Sequence, residues 1–251
     1  MSKLLVMAMH LTHQGKAVES SSMVPAPHKR DKGLTLMECI VAIAVIALTG
    51  AMIGPPLVLA AATRLQNRRV EQSTQIAQGE IDRIRTLVTL SDHSRDNIPA
   101  ATLQTNLDDE VAPAASFNLL KSVNAGCANP YDESDDGPVP INQALPIDID
   151  GDCEEDFLVQ TFRDEGSFSS QEDARGNNGR PNNFNVMVRV YAANAAENYG
   201  SLGTEPASLR FTSGEGNQRQ RPLAVLTSEM SWSDTDGSLF CYHSTNNDCE
   251  E

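Results

Sequence analysis

Residues 28–38 read His28-Lys29-Arg30-Asp31-Lys32-Gly33-Leu34-Thr35-Leu36-Met37-Glu38: a basic stretch, a glycine, then the start of an apolar run holding one acidic residue. Between Leu34 and Thr63 the only ionisable groups are the Glu38 carboxyl and the Cys39 thiol. The stretch from Cys39 to Thr63 is long enough to cross a bilayer as a helix. A carboxylate at the edge of such a span costs about 2 to 4 kcal/mol if it enters hydrocarbon, so it asks for a partner. A plain signal anchor gains nothing from it. A secretory signal peptide would place its apolar stretch near the start, and there MSKLLVMAMHL is broken by His10 and followed by polar residues 12–22.

Charges on both sides of the span bear on orientation. His28, Lys29, Arg30 and Lys32 precede it and favour a cytoplasmic leader, whereas Arg64, Arg68 and Arg69 follow it and weigh the other way. The run also carries Gly50, Gly54 and Pro55-Pro56; proline removes a backbone donor and favours a bend, which membrane helices accommodate.

Gly33-Leu34-Thr35-Leu36-Met37-Glu38 resembles the cleavage and methylation signal of type IV prepilins and pseudopilins. The resemblance implies a leader of residues 1–33, cut between Gly33 and Leu34 by a membrane-embedded prepilin peptidase that also methylates the new amino terminus of Leu34. Leu34 stands where the family usually has Phe. Glu38 matches the family's signature acid, whose carboxylate neutralises the N-terminal amine of a neighbouring subunit during assembly. Two charges too costly to keep singly in lipid become tolerable as a pair. An internal start at Met23 would shorten the leader to MVPAPHKRDKG. Implied with it are other pilin or pseudopilin subunits and inner-membrane pilus assembly machinery as partners. The domain would be exported from a single-pass inner-membrane anchor and would end in a periplasmic or extracellular filament.

Charge excludes one class of partner. The chain has 19 Lys and Arg against 34 Asp and Glu; without residues 1–33 it keeps 14 and 32, a formal charge of −18. Such a chain offers no basic face to nucleic acid phosphates. Cys39 lies in the apolar run and reads as a small packing residue. Cys127, Cys153, Cys241 and Cys249 form an even set suited to two disulfides in an oxidising compartment, with three pairings open. The shortest loops come from Cys127 with Cys153 and Cys241 with Cys249, and the second bridge would resemble the C-terminal disulfide loop of many pilins.

Beyond the span, Val70, Thr74, Ala77, Ile81, Ile84 and Val88 recur at three- or four-residue intervals among Gln, Glu, Asp and Arg. The pattern predicts that residues 34–63 and an amphipathic half, 64–90, form one helix, and that residues 91–251 form an exported domain. The fold class expected is α+β and pilin-like, the helix packed on a small antiparallel sheet with loop-rich insertions. Residues 91–147 read as loop-rich, with NPYDESDDGPVP as the densest turn signal. Strands are expected in DFLVQTFR from Asp156, FNVMVRVYA from Phe184 and PLAVLTSEMSW from Pro222. Val186, Val188 and Val190 alternate with Asn185, Met187 and Arg189, so one sheet face is the more apolar. The Gly/Asn stretch between Ser169 and Asn183, and SLGTEPAS, read as exposed connections.

DIDGDCEED places Asp148, Asp150, Asp152 and Asp156 at relative positions 1, 3, 5 and 9, a spacing that lets a tight loop aim oxygens at calcium. It resembles the extracellular loop pattern D-x-D-G-D-G-x-x-D, with Cys153 in place of the second glycine and without the acidic residue an EF-hand needs at position 12, where Val159 stands. A solvated acidic turn is the competing reading. Catalysis finds little footing: His10, His13 and His28 fall before the span, neither His93 nor His243 has a recognised nucleophile context, and no G-x-S-x-G, P-loop or H-E-x-x-H occurs. No catalytic residue is assigned; a membrane-anchored exported hydrolase or a calcium-dependent binding domain is the alternative. Finally, PPLVLAAATRLQNRRVEQSTQIAQGEIDRIR resembles minor pseudopilins of the hormogonium polysaccharide secretion system. That resemblance implies work beside type IV pilus or type II secretion-like machinery in polysaccharide export and gliding motility.

Overall fold

The computed structural model describes residues 35–132, 136–208 and 217–233, together with the backbone of 248–249. The chain divides into two compact units at Ile53/Gly54. Helix α1 runs from Leu36 to Thr89, helical through Pro55 and Pro56. In the first unit its apolar side chains, including Leu36, Ile43 and Ile46, are exposed. Within α1 lies an apolar window long enough to cross a membrane, and none of that window is buried.

In the second unit the amphipathic stripe does what its spacing predicts. Ala77, Ile81, Ile84 and Val88 are buried in one cluster with Phe157, Val159, Val186, Val188 and Val190, and Val70 packs against its edge. The helix stops at Ser91, whose φ is +59°. The Ser91 N–H donates to the Val88 carbonyl and the Asp92 N–H to that of Leu87, the paired closing bonds of a Schellman turn with serine where glycine is usual.

The sheet is mixed, not purely antiparallel as expected. Strands β1 (Ala115–Ser116), β2 (Lys121–Ser122), β3 (Gln143–Asp148), β4 (Phe157–Arg163), β6 (Asn183–Ala192) and β7 (Ala224–Ser231) form it in the order β1-β3-β4-β6-β7, with β2 beside β1 on the same edge of β3. The central pairs are antiparallel, whereas β1 and β2 run parallel to β3. β5 (Phe168–Ser169) pairs separately with β8 (Asp248–Cys249).

Strand β3 corrects the loop-rich reading of 91–147. Pro146 and the Asp-rich sequence after it mask a strand, and tertiary pairing overrides them. Phe117 donates to the Ala144 carbonyl and Val123 to that of Asp148, while the Ile147 carbonyl accepts from Asp156 on the β4 side. By alternation Pro146 therefore faces the outer edge, in the gap between β1, paired at Gln143 and Ala144, and β2, paired at Ile147 and Asp148. A residue without an N–H costs no ladder bond there.

The less apolar face of β6 is buried too. Arg189 is 1% exposed, and its guanidinium donates to the carbonyls of Glu110 (2.8 Å) and Leu107 (3.2 Å), with longer bonds to those of Val111 and Asp108. Segment 107–111 is thus tied over the sheet by one forked side chain. Arg189→Met is expected to cost about 3 kcal/mol, because the buried Glu110 carbonyl and the partly buried Leu107 carbonyl lose their donor at once. A lowered urea midpoint would show it, with Arg189→Lys between the two.

The stretch between Ser169 and Asn183 is not simply exposed. It contains a short helix, α2 (Ser170–Asp173), whose Glu172 is 1% exposed and accepts from the Arg180 side chain at 2.8 Å and from its backbone N–H at 3.0 Å. Burial opposes ionisation of Glu172, but the hydrogen bonds and charge of Arg180, with Arg175, outweigh it and hold the carboxyl below its ordinary range. Ala207, in SLGTEPAS, is also buried.

Candidate functional site

Three features carry the sequence-level candidates. The first is the start of α1. The Thr35 hydroxyl accepts from the Glu38 N–H at 3.3 Å, and the Thr35 carbonyl accepts from the N–H groups of Glu38 and Cys39. Thr35-Leu36-Met37-Glu38 has the order of a capping box, with the acid in the first turn where the helix dipole favours negative charge. The Glu38 side chain is exposed and has no partner among the described residues. Gly33 and Leu34, the expected cleavage pair, lie outside the described residues. Cys39 is a free, exposed thiol.

The second feature is the disulfide. Cys127 and Cys153 are bonded, with Cα atoms 5.4 Å apart and a sequence separation of 26. A loop of that length is stabilised by about 3 to 4 kcal/mol in the chain-entropy account. The expected Cys241–Cys249 bridge lies outside the described side chains.

The third is the loop after β3. Asp148 is 0% exposed: its Oδ1 accepts from the Gly151 N–H at 2.7 Å, and its Oδ2 from the Ser122 hydroxyl at 2.7 Å and the Cys153 N–H at 2.9 Å. The Ser122 hydrogen bond leads the effects that hold the Asp148 carboxyl below its ordinary range; burial works against it, and the amides of Gly151, Cys153 and Asp150 add to it. Cys153, standing where the calcium-loop pattern has glycine, has φ +69°, the left-handed conformation that position demands. The disulfide and the bond to Asp148 hold a non-glycine residue where it is strained.

Oxygens of Asp148, Asp150 and Asp156 come within 4.8 Å of one another. Asp152 is not among them; its Oδ1 accepts from the Glu154 N–H instead. The Asp152 N–H stabilises the charged form of Asp150, but desolvation and the charges of Asp152, Asp156 and Asp148 outweigh it and raise the Asp150 carboxyl above its ordinary range. Ser122, which the sequence does not mark, joins the site only because β2 lies beside β3.

His93, with no assigned role, is fully buried, neither ring nitrogen has a well-formed hydrogen bond among the described residues, and its ring meets Trp232 edge-on at 4.9 Å. Burial first, then the Arg180 charge, lowers its pKa below 6.5, against opposing effects of Pro181, Glu172 and Leu87. The unfolded chain therefore binds a proton at a pH where the folded one does not. Stability from this group is expected to be complete above about pH 6.5 and to fall as pH drops below it toward the lowered folded value. Urea titrations followed by Trp232, the single tryptophan, should show this slope, and His93→Phe should remove it.

Comparison with protein-family models, with curated proteins and with solved structures found no match.

Proposed function

We propose that this chain is a minor pilin or pseudopilin subunit, processed by a prepilin peptidase and assembled through its N-terminal helix into a type IV pilus-like or secretion pseudopilus filament. The observation that carries this reading is Glu38: one carboxylate, without a partner among the described residues, at the first turn of a helix whose following apolar side chains are exposed. An exposed apolar helix asks for lipid or for other helices, and a lone acid at its end asks for a cation there. The amine of a neighbouring Leu34 supplies that charge. An acidic, disulfide-bonded domain suits export, and the resemblance at Pro55–Arg85 makes polysaccharide secretion and gliding motility the proposed setting.

The test is intact-mass and N-terminal peptide analysis of the full chain expressed with and without a prepilin peptidase. A mature chain beginning at methylated Leu34 supports the reading. An uncut chain, or a cut elsewhere, sinks it and favours a membrane-anchored exported hydrolase.

The approach of Asp148, Asp150 and Asp156 favours a second, compatible reading, a calcium-binding loop. Three carboxylates fall short of the six to eight oxygens calcium takes, so water and neighbouring groups would complete the shell. Calorimetric titration with millimolar calcium is expected to give heat that Asp150→Asn with Asp156→Asn abolishes. No heat from the unaltered chain removes this reading.

A further inference from the structure

Arginines follow directly on the apolar span. Arg64 and Arg68 stand four residues apart on α1 and so share a face. Both are exposed, and neither has an ion pair or hydrogen bond among the described residues. Farther along the same helix the arginines are paired, Arg83 with Glu80 at 2.6 Å and Arg85 with Asp82 at 2.7 Å. Two cations without a partner among the described residues, in so acidic a chain, point to an anion from outside it.

One face of α1 joins these arginines to apolar surface, for Leu57, Ala60, Ala61, Arg64, Leu65 and Arg68 lie along it. One end is hydrocarbon in character and the other carries two guanidinium groups. Arg69, the next residue, lines a different and polar cleft with Asp150, Glu155 and Asp156. The collar is therefore divided, with Arg64 and Arg68 on the apolar face of α1 and Arg69 in the polar cleft.

Position selects among anions. The 25 apolar residues Cys39–Thr63 exceed what about 30 Å of hydrocarbon requires by little more than one helical turn, so Arg64 and Arg68 follow at headgroup depth. Arginine keeps its stem on apolar surface while its head reaches water, and its planar fork matches a phosphate.

We propose that Arg64 and Arg68 clasp the phosphate of an anionic phospholipid in the leaflet from which α1 emerges, with an acyl chain against Leu57, Ala60 and Ala61. The proposal rests on the membrane-spanning reading of α1. It gives the subunit a lipid-bound waiting state, which fixes the depth of the helix before assembly.

The test places the full chain in bilayer nanodiscs of dioleoylphosphatidylcholine with increasing dioleoylphosphatidylglycerol, and counts retained lipid by native mass spectrometry. Phosphatidylglycerol is expected to be retained in preference. That preference should fall about fivefold for each arginine removed in Arg64→Gln with Arg68→Gln. It should fall less for the double lysine variant, which keeps charge without the fork, and stay unchanged for Arg69→Gln. Unchanged trypsin resistance of the exported domain would show that the variants remain folded. Equal retention by the double glutamine variant overturns the proposal. So does a variant that keeps its lipid but no longer associates with acidic subunits, which would assign the arginines to a protein partner. Failure of the unaltered chain to insert overturns the spanning reading, and the proposal with it.

Discussion

Gly33→Val is expected to leave the chain uncut in the presence of a prepilin peptidase, with essentially no mature product. A peptidase that cuts after Gly33 must bring its catalytic groups against the backbone there, and glycine alone offers that bond without a side chain in the way. A β-branched residue both fills the approach and narrows the conformations the peptide can adopt at the cut. The basic stretch and the apolar run remain, so insertion should be normal. Intact mass separates the outcomes, because loss of residues 1–33, or of 23–33 from the internal start, is unmistakable. Efficient cleavage of this variant at the same bond would place recognition elsewhere and remove the main support for a prepilin-like leader.

Glu38→Gln is expected to be cut and methylated normally and then to fail in assembly. In the proposed filament each Glu38 carboxylate neutralises the amine of a neighbour, and without it a cation stays unpaired against hydrocarbon. The expected loss is about 2 to 4 kcal/mol at each subunit contact, at least thirtyfold in its equilibrium. Gln is an informative replacement because it also fits the third helical position of a capping box, and the bond from the Glu38 N–H to the Thr35 hydroxyl does not involve the side chain. Helix fraying therefore cannot account for the loss. Sheared filament yield, or co-purification of tagged and untagged subunits, measures it. Normal assembly would sink the pairing idea, as it would if the helix were only a tether for an exported enzyme.

The two variants probe different links. Gly33 tests recognition of the leader, whereas Glu38 tests what the helix does after processing. Cutting without assembly is the pattern expected of Glu38→Gln alone.

Periodicity made α1 legible. Ala77, Ile81, Ile84 and Val88 are spaced for one helical face, and that face is the one buried against the sheet. The strand starting near Asp156 and those near Phe184 and Pro222 were legible because β-branched and aromatic residues cluster there between turn signals. β3 was not: Pro146 and Asp148 belong by composition to a turn, and only the gap between β1 and β2 and the acceptor role of Asp148 make them good strand residues. The acidic loop was legible as a cluster, but which of its carboxylates meet was not.

From sequence alone come the apolar run, its single acid, the glycine before it, the basic residues on either side and the overall acidity. These are properties of residue type and order, which need no partner to be defined. The tertiary structure decided the rest: that the Asp148 carboxylate accepts from the Cys153 N–H of its own loop, that Arg189 is buried beneath residues 107–111, that Cys127 reaches Cys153, and that Arg64 and Arg68 form no ion pair among the described residues. Each depends on which distant segments share a sheet edge or a helix face, and contact between distant segments is not written in local spacing.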